Sequence, residues 1–577
     1  MRRAILLPLV GLFALSAGCE SITGGPPSNH CVSDDECVAA RCDTALGMCV
    51  TESRRPMRLA LEVRPMTEPY GGSVQAIPFA PFALDGAGPQ ELELEPGVLV
   101  QGLVRGGGAP IAAELTFSRQ SPIPGRAPST ITVEASGATP VRLEAGREAA
   151  FLTQLLPGRH ELTVSPTGEW RALFPPLYRA YETPAEGNGF LPLDYPPLCA
   201  DPAADTDCLA TFEGQVVDRA GVGQAGVVVR LVDRLTGRPL SSRYVTASDL
   251  ERDPGYFRLV FPVEHWRATD GWFLRVSPAP HRVEEVGPSP IYTRPAEALT
   301  ELDGMIRVLS PNVDAMRLTY AGTVEDADGR PLEGASVQFT STDVTDPTTN
   351  ITGTYTASVR TDASGAFSVE LLGHADSPAT YDIVVTPSQS EGSSGVLRVS
   401  RVLGSSANGQ LFTAPPRARF GGTVQTLTGE RMLDARVEAR TRGSDRDGAL
   451  DPAAFLARSN QTSTDANGLF DLRLDVGLYD VVIEPPAGTN FPWRIERDVA
   501  IGSSGAPFTS VYELEHPVPV TGVARWRVDD TTQPVVDGEV RAYALVEGSD
   551  GSMRALLVAR ATTDARGAYT LLVPPSP

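Results

Sequence analysis

Cysteines carry the clearest chemistry in this 577-residue sequence, which contains seven of them. Four lie close together in CVSDDECVAARCDTALGMCV: Cys31, Cys37, Cys42 and Cys49. Cys199 and Cys208 bound a second short stretch, CADPAADTDC. Zinc sites usually contain tight C-x-x-C pairs, whereas five, four and six residues separate the first four cysteines. This even set of six favours disulfides formed in an oxidising compartment, with the connectivity of the first four left open.

Residues that could catalyse a reaction do not form a recognisable set. The six histidines are scattered and none lies in an H-E-x-x-H arrangement, so a zinc peptidase would lack its ligands. Neither a G-x-S-x-G nucleophile elbow nor a Walker loop occurs in the sequence. All 49 lysine or arginine positions are arginine, which excludes lysine nucleophiles and Schiff bases. We predict a protein that is not an enzyme and that uses no metal or cofactor.

Two tryptophans in HWRATDGWF, Trp266 and Trp272, are the aromatic candidates for a binding site. An exposed indole can stack on a sugar ring because it combines a large apolar face with a polar edge. Aligning the repeats described below matches Trp272 with Leu478, which predicts an inward core position for Trp272. Trp266 has no counterpart, so it is the candidate glycan-binding residue; packing within or between domains is the competing interpretation of both tryptophans.

The overall charge narrows the classes of partner. Asp and Glu outnumber Lys and Arg by 71 to 49, which gives a net charge of −22. Nucleic acid is excluded as a partner because its phosphates require a basic face. The 55 glycines and 50 prolines indicate many turns in place of long helices.

The first residues, MRRAILLPLVGLFALSAGC, have the three-part layout of a secretory signal. The apolar run from Ala4 to Ala14 is shorter than the ~20 residues of a membrane-spanning helix. The end of the stretch resembles the bacterial lipobox, and the resemblance implies that Cys19 is lipidated and becomes the mature N-terminus. Glu20 follows in place of Asp, which by the same resemblance favours the outer membrane, facing either the periplasm or the cell surface.

A repeat dominates the rest of the chain. The clearest copy reads AGTVEDADGRPLEGASVQFTS, then VRTDASGAFSVELLG and TYDIVVTP, and four further copies precede or follow it. Each copy opens on a glycine: Gly102, Gly214, Gly322, Gly422 and Gly522. Within a copy, apolar and polar residues alternate over four to seven positions between Asp- and Gly-containing turns, which is typical of β-hairpins. Several short strands per copy predict antiparallel β-sandwiches and an all-β fold.

The motif G-x-V-x-D-x-x-G-x-P-L-x-G-A-x-V, followed by T-D-x-x-G-x-F and Y-x-V-x-V-x-P, resembles the carboxypeptidase regulatory-like domain. The resemblance implies a transthyretin-like sandwich. It is strongest in the copy from Ala321 and weakest in the copy at Gly102. Domains of that family are accessory to other functions, so the resemblance indicates a fold and leaves the function open.

The repeats divide the chain into successive segments. These are a lipoprotein signal (1–19), a Cys-rich module (20–53), lead-in strands (54–99), repeat 1 (100–166), a linker with the Cys pair (167–211), repeat 2 (212–278), a linker (279–320), repeat 3 (321–387), a linker (388–419), repeat 4 (420–486), a linker (487–519) and repeat 5 (520–577). The linkers also contain strand-like patterns, and we expect them to pack on neighbouring domains.

The closing strands of the repeats do not match the number of copies. Four copies end on one, such as TYDIVVTP, but repeat 5 does not, while a similar segment, LALEVRP, lies before repeat 1 at Leu59–Pro65. Three interpretations remain open. The gene is truncated, or Leu59–Pro65 pairs with the first sandwich and leaves the last one incomplete, or a strand donated by the chain's own start or by another molecule completes the last sandwich.

Taken together, the sequence predicts a non-catalytic, lipid-anchored cell-envelope protein: a rod or arc of five sandwiches acting as a scaffold, spacer or adhesion module. Its partners would be the membrane, through Cys19, and a protein or polysaccharide. The alternative function is polysaccharide binding through sandwich loops, with Trp266 as the residue to test.

Overall fold

The computed structural model describes residues 26–51, 58–65, 75–81, 90–94, 97–121, 123, 128–138, 140–142, 148–185, 187–246, 253–267, 271–278, 289–302, 305–388, 392–441, 457–503, 510–528, 531–547 and 553–575. Short helices occur at Asp34–Glu36, Gly168–Ala172, Val263–Arg267, Ala296–Ala298 and Val313–Met316. Strands make up the rest of the regular structure, which confirms the predicted all-β fold.

The strands before and within the first two repeats are β1 (Arg41–Asp43), β2 (Met48–Val50), β3 (Arg58–Arg64), β4 (Gln75–Pro81), β5 (Gln90–Leu94), β6 (Val98–Gly106), β7 (Ala109–Pro110), β8 (Ala113–Arg119), β9 (Ser129–Ala135), β10 (Val141–Arg142), β11 (Glu148–Ala149), β12 (Phe151–Leu155), β13 (Gly158–Pro166), β14 (Leu177–Thr183), β15 (Gly189–Tyr195), β16 (Leu209–Val217), β17 (Val227–Asp233), β18 (Tyr244–Val245), β19 (Tyr256–Pro262), β20 (Trp272–Pro278), β21 (Ile291–Pro295), β22 (Thr300–Leu302) and β23 (Met305–Leu309).

The remaining strands are β24 (Arg317–Glu325), β25 (Ser336–Thr345), β26 (Thr352–Arg360), β27 (Ala366–Leu372), β28 (Ala379–Thr386), β29 (Leu397–Leu403), β30 (Ala407–Thr413), β31 (Ala418–Thr426), β32 (Arg436–Thr441), β33 (Asn460–Ser463), β34 (Leu469–Leu474), β35 (Gly477–Glu484), β36 (Arg494–Ile501), β37 (Val511–Leu514), β38 (Val518–Val528), β39 (Thr531–Pro534), β40 (Glu539–Glu547), β41 (Met553–Thr562) and β42 (Ala568–Val573).

Each repeat forms the centre of a sandwich of two sheets in the described residues, and strands outside the repeat complete it. In one sheet the opening strand lies between an antiparallel and a parallel neighbour; the strand orders are β12-β6-β15, β19-β16-β23, β27-β24-β30, β34-β31-β37 and β42-β38-β5. In the other sheet four strands are antiparallel; the orders are β9-β8-β13-β14, β18-β17-β20-β21, β26-β25-β28-β29, β33-β32-β35-β36 and β41-β40-β3-β4. We call these units sandwiches 1 to 5, and each has its own cluster of buried apolar side chains.

The opening glycines have a steric reason. A β-carbon on Gly214 would lie 2.7 Å from the carbonyl oxygen of Ile306, and one on Gly422 would lie 2.8 Å from that of Ser510. In both cases the carbonyl belongs to the chain that runs parallel to the opening strand or leads into it. Glycine therefore permits the close approach of the parallel strand, which no other residue would allow at that spacing.

The T-D-x-x-G motif is a turn that also joins two elements. In sandwich 3, the Asp362 carboxylate accepts hydrogen bonds from the backbone of Ser364 and Ala366, and the hydroxyl of Thr361 donates to the Leu332 carbonyl at 2.5 Å while accepting from Ala335. Equivalent bonds recur at Thr464–Asp465 and Thr563–Asp564. The motif thus satisfies buried backbone groups at the point where the chain re-enters the sheet.

The segments expected to be linkers packing on neighbouring domains instead complete the sandwich that they follow. For example, β14 pairs with β13 and β15 pairs with β6, all within sandwich 1. The same arrangement recurs in sandwiches 2, 3 and 4. A core repeat alone would leave the closing and opening strands with unpaired edges, and the two following strands cover them.

Strands β3, β4 and β5, which precede repeat 1, complete sandwich 5. Strand β3 pairs antiparallel with β40, from Leu59 opposite Ala544 to Arg64 opposite Glu539, and so occupies the closing-strand position. Strand β4 pairs with β3, and β5 lies parallel to β38. Of the three interpretations of LALEVRP, the structure agrees with the third: the chain's own start donates this strand to the last sandwich. We call residues 58–94 the closing segment.

The closing segment also connects the last sandwich to the first. Strand β5 ends at Leu94 and β6 of sandwich 1 begins at Val98, so sandwich 5 is directly connected to sandwich 1. Ile123 of sandwich 1 is buried against Ala60 and Tyr543 of sandwich 5. The five sandwiches therefore form a closed array, in which the fifth adjoins both the fourth and the first, in place of the open rod or arc expected from sequence.

Candidate functional site

The six cysteines predicted to form disulfides do so. The pairs are Cys31–Cys42, Cys37–Cys49 and Cys199–Cys208. The first two cross-link residues 26–51, which we call the disulfide module. Three of its sulfur atoms lie within 4.8 Å of one another, and their proximity follows from the two bonds, which leave no thiolate to bind zinc.

The other predicted site residues have different outcomes. Cys19 lies outside the described residues, so lipidation stays a prediction. Trp272 is buried in the core of sandwich 2, where its indole nitrogen donates to the His265 carbonyl at 2.9 Å. This confirms its inward position. Trp266 lies in the short helix Val263–Arg267, and its side chain is outside the described part of the chain.

The disulfide module is docked where sandwich 4 meets sandwich 5. The buried Asn29 side-chain amide donates to the carbonyls of Cys49 and Asn490, at 2.8 and 3.0 Å. The backbone N–H of Asn29 donates to Thr489 at 2.7 Å, and that of Thr51 donates to Pro517 at 3.0 Å. The module therefore binds both the end of sandwich 4 and the connection into sandwich 5.

His516 lies at the centre of this contact. Its Nδ1 is 2.8 Å from the side-chain oxygen of Asn29, and its Nε2 is 2.9 Å from the carbonyl oxygen of Val38. Burial lowers the pKa of the His516 imidazole, and the contact with the Val38 carbonyl opposes this only in part. Both facing oxygens are hydrogen-bond acceptors and a neutral imidazole carries a single N–H, so the neutral ring donates to one of them, whereas only the protonated ring could donate to both.

Sandwiches 3 and 4 are joined by a buried ionic cluster. The Asp475 carboxylate lies 3.0 Å from Nε of Arg458 and 3.3 Å from Nε of Arg417. Arg458 also donates to the carbonyls of Pro387 and Ser394, which follow sandwich 3's closing strand. Burial raises the pKa of Asp475, but the hydrogen bonds and charge of Arg458, with the charge of Arg417, outweigh it and leave the pKa below its usual range.

Arginines also connect sandwich 5 to sandwich 4. Arg554 pairs with Asp480 at 2.9 Å and Arg560 pairs with Glu484 at 2.6 Å. The Arg560 guanidinium lies 5.6 Å from the ring centre of Trp493. Glu484, Trp493 and Arg560 border a cleft of about 710 Å³ between the two sandwiches. Glu484 and Arg560 pair across the cleft, and Glu539 of its lining pairs with Arg541, so the cleft is a polar junction between the two sandwiches.

A disulfide lies at the junction of sandwiches 1 and 2, and paired strands join sandwiches 2 and 3. The Cys199–Cys208 disulfide closes the loop between sandwiches 1 and 2, and Leu209 after it packs into the core of sandwich 1. Sandwiches 2 and 3 share a continuous eight-stranded sheet, because β21 pairs with β26 at Tyr292 and Gly353. Each junction is therefore fixed by specific bonds.

Sequence reasoning missed the docking residues Asn29 and His516 and the cluster around Asp475. Neither set has a local signal, because each partner is contributed by a distant part of the chain. No helix in the described residues is long and apolar enough to cross a membrane. The candidate functional feature is the closed array itself, with the disulfide module docked at its junction.

No family model matches the chain, and no curated protein matches it. Among solved structures, the TIE protein of Bacillus anthracis is 11% identical, with 73% of this chain and 74% of that one covered and a TM-score of 0.16. A streptococcal ancillary pilin is 11% identical over 53% of this chain and 98% of its own, with a TM-score of 0.22. The shaft pilin SpaA of Lactobacillus rhamnosus GG is 13% identical over 34% and 96%, with a TM-score of 0.18. Scores this low support no argument about function.

Proposed function

We propose that this protein is a non-catalytic scaffold of the cell envelope, anchored by a lipid on Cys19. The observation that carries the proposal is the closed array: β3, β4 and β5 complete sandwich 5 and connect it directly to sandwich 1. An open chain of domains can bend at every connection, whereas closure makes each junction depend on the others. A closed array is suited to presenting binding surfaces in a fixed arrangement.

The anchor would leave the array at the docked disulfide module, since Cys19 precedes that module in the chain. The junction of sandwiches 4 and 5 would then face the membrane. Sandwich 2, which adjoins neither of these two, would lie farthest from that junction in the order of the array. The carboxypeptidase regulatory-like resemblance and the outer-membrane location belong to the same proposal. They are supported by the repeat motif and by the lipobox-like sequence with its Glu20.

Small-angle X-ray scattering of the full chain carrying Cys19→Ser tests the scaffold. We expect this protein to have the maximum dimension of a closed array. We expect a larger maximum dimension when Leu61→Glu is added, because the Leu61 side chain is buried in the core of sandwich 5. Leu152→Glu is the matched control, since Leu152 is 58% exposed on sandwich 1. A wild-type profile typical of an extended five-domain chain would contradict the scaffold proposal.

Intact-mass measurement of membrane-extracted protein tests the anchor separately. We expect a mature chain that begins at a lipid-modified Cys19 and partitions with membranes, and a Cys19→Ser protein that does not. An unmodified wild-type N-terminus would refute the anchor and leave the scaffold standing. The alternative function, polysaccharide binding through Trp266, is tested by comparing the retention of wild type and Trp266→Ala on envelope polysaccharide.

A further inference from the structure

Sandwich 5 differs from the other four in that its strands come from both ends of the described chain. Sandwich 5 has seven main strands. Four of them, β38, β40, β41 and β42, come from repeat 5, where the short β39 also pairs with β38. The closing segment supplies the other three, one in the first sheet and two in the second. Leu61 and Val63 of β3 and Leu92 and Leu94 of β5 are at most 5% exposed. Without the closing segment, β38 and β40 would each lose a strand partner and the core would open to water.

We call the part of sandwich 5 that repeat 5 supplies the acceptor, since its strands β38 and β40 accept strands of the closing segment. Such an acceptor is selective for one strand-donating segment. An unpaired strand edge is a template for another strand, but a period-two side-chain pattern buries its apolar set only in the correct register. The closing segment meets this condition in both sheets at once, with Leu61 opposite Ala542 and Leu92 opposite Ala524. A second copy of the chain carries the same segment, with the same two registers.

While it stays docked, the disulfide module keeps the chain's own closing segment at its own acceptor. It immediately precedes β3, and it binds the acceptor side through Asn29, His516 and the Thr51–Pro517 hydrogen bond. These contacts do not involve the paired strands. They hold the closing segment near its own acceptor, and so raise its effective concentration there.

We propose that sandwich 5 is an interaction site for the closing segment of a second copy, and that the docked disulfide module directs pairing to the chain's own segment. When the module is undocked, the segments of two copies exchange, and each completes the other's sandwich 5. Every buried contact within sandwich 5 is kept in the exchanged form. The exchange goes beyond the scaffold function and does not depend on lipidation.

Cysteine cross-linking across the strand pair tests this proposal. Arg64 of β3 lies opposite Glu539 of β40, so Arg64→Cys with Glu539→Cys places two thiols at directly paired positions. Glu539→Cys with Thr562→Cys is the matched control, because both positions lie in the acceptor. Both pairs are made in the full chain with Cys19→Ser, with and without Asn29→Ala and His516→Ala. Oxidised samples are compared on non-reducing gels at low and high protein concentration.

With the module docked, we expect the Arg64/Glu539 pair to cross-link within one chain at both concentrations. With the two docking residues replaced, we expect a single-chain cross-link at low concentration, which shows that the protein is folded. At high concentration, covalent dimers should increase about tenfold or more, as a lower effective concentration predicts. The control pair should cross-link within one chain throughout.

Three results would overturn the proposal. The first is the absence of added dimers from the undocked protein at high concentration. The second is an equal increase of dimers in the Glu539/Thr562 control, which would indicate random collision. The third is the loss of the single-chain cross-link at low concentration, because the module would then be needed for pairing itself and would not select between partners.

Discussion

Leu61→Ala gives the most direct test of how the array closes. Leu61 is fully buried among Val540, Val558 and Leu571 in the core of sandwich 5. Removing such a side chain costs about 2–5 kcal/mol, because transfer free energy is lost and a cavity remains. Every 1.4 kcal/mol is a tenfold change in an equilibrium constant, so local opening should become about 30-fold to about 4000-fold more frequent.

Hydrogen exchange followed by mass spectrometry measures that opening region by region, which suits a chain of several domains better than one unfolding transition. We expect faster exchange in β40, β41 and β42, which lie more than 400 residues from Leu61 along the chain. Leu115→Ala is the matched control, since Leu115 is fully buried in the core of sandwich 1. It should accelerate exchange there.

Two outcomes of the exchange measurement on Leu61→Ala would contradict this prediction. If Leu61→Ala accelerated exchange in sandwich 1 and left β40 unchanged, LALEVRP would belong to the first sandwich, as one of the sequence-based interpretations has it. If neither sandwich responded, Leu61 would not be part of a packed core. Either outcome would remove the basis for a closed array.

Other contacts give four further predictions. Asp475→Asn should destabilise the junction of sandwiches 3 and 4 by about 3–5 kcal/mol, because it leaves buried arginines uncompensated; denaturant titration measures this. Since the pKa of Asp475 is lowered in the folded protein, its contribution is present above the unfolded carboxyl pKa, near 4, and should be lost as the pH falls through the folded value. Replacing Cys199 and Cys208 by serine should cost about 2–3 kcal/mol of stability, by the entropy of closing a short loop, and thermal unfolding under non-reducing conditions would show it. Gly322→Ala should cost about 1–3 kcal/mol by overpacking, because its β-carbon would clash with the Gln410 carbonyl; an unchanged midpoint would contradict that geometry.

The repeat, its strands and its turns could be predicted from the sequence because their causes are local. Alternation of apolar and polar residues selects a strand and the face that it buries, and the T-D-x-x-G turn needs only neighbouring backbone groups, as at Asp362. The inward position of Trp272 was predicted from the alignment of the repeats, which matched it with Leu478. Disulfide formation followed from an even number of cysteines and a secretory leader, while the pairing of Cys31 with Cys42 did not, since spacing permits other connectivities.

Only the tertiary structure decided which strands are partners. The pattern of LALEVRP specifies a half-buried strand, but an edge that accepts it could lie in any sandwich, because β-pairing depends on register and on free edges and has no sequence code of its own. The contact of Asn29 with His516 joins residues 487 positions apart, and neither residue carries a local sign of it. The sequence therefore determined what the five units are, and long-range packing decided that they form a closed array.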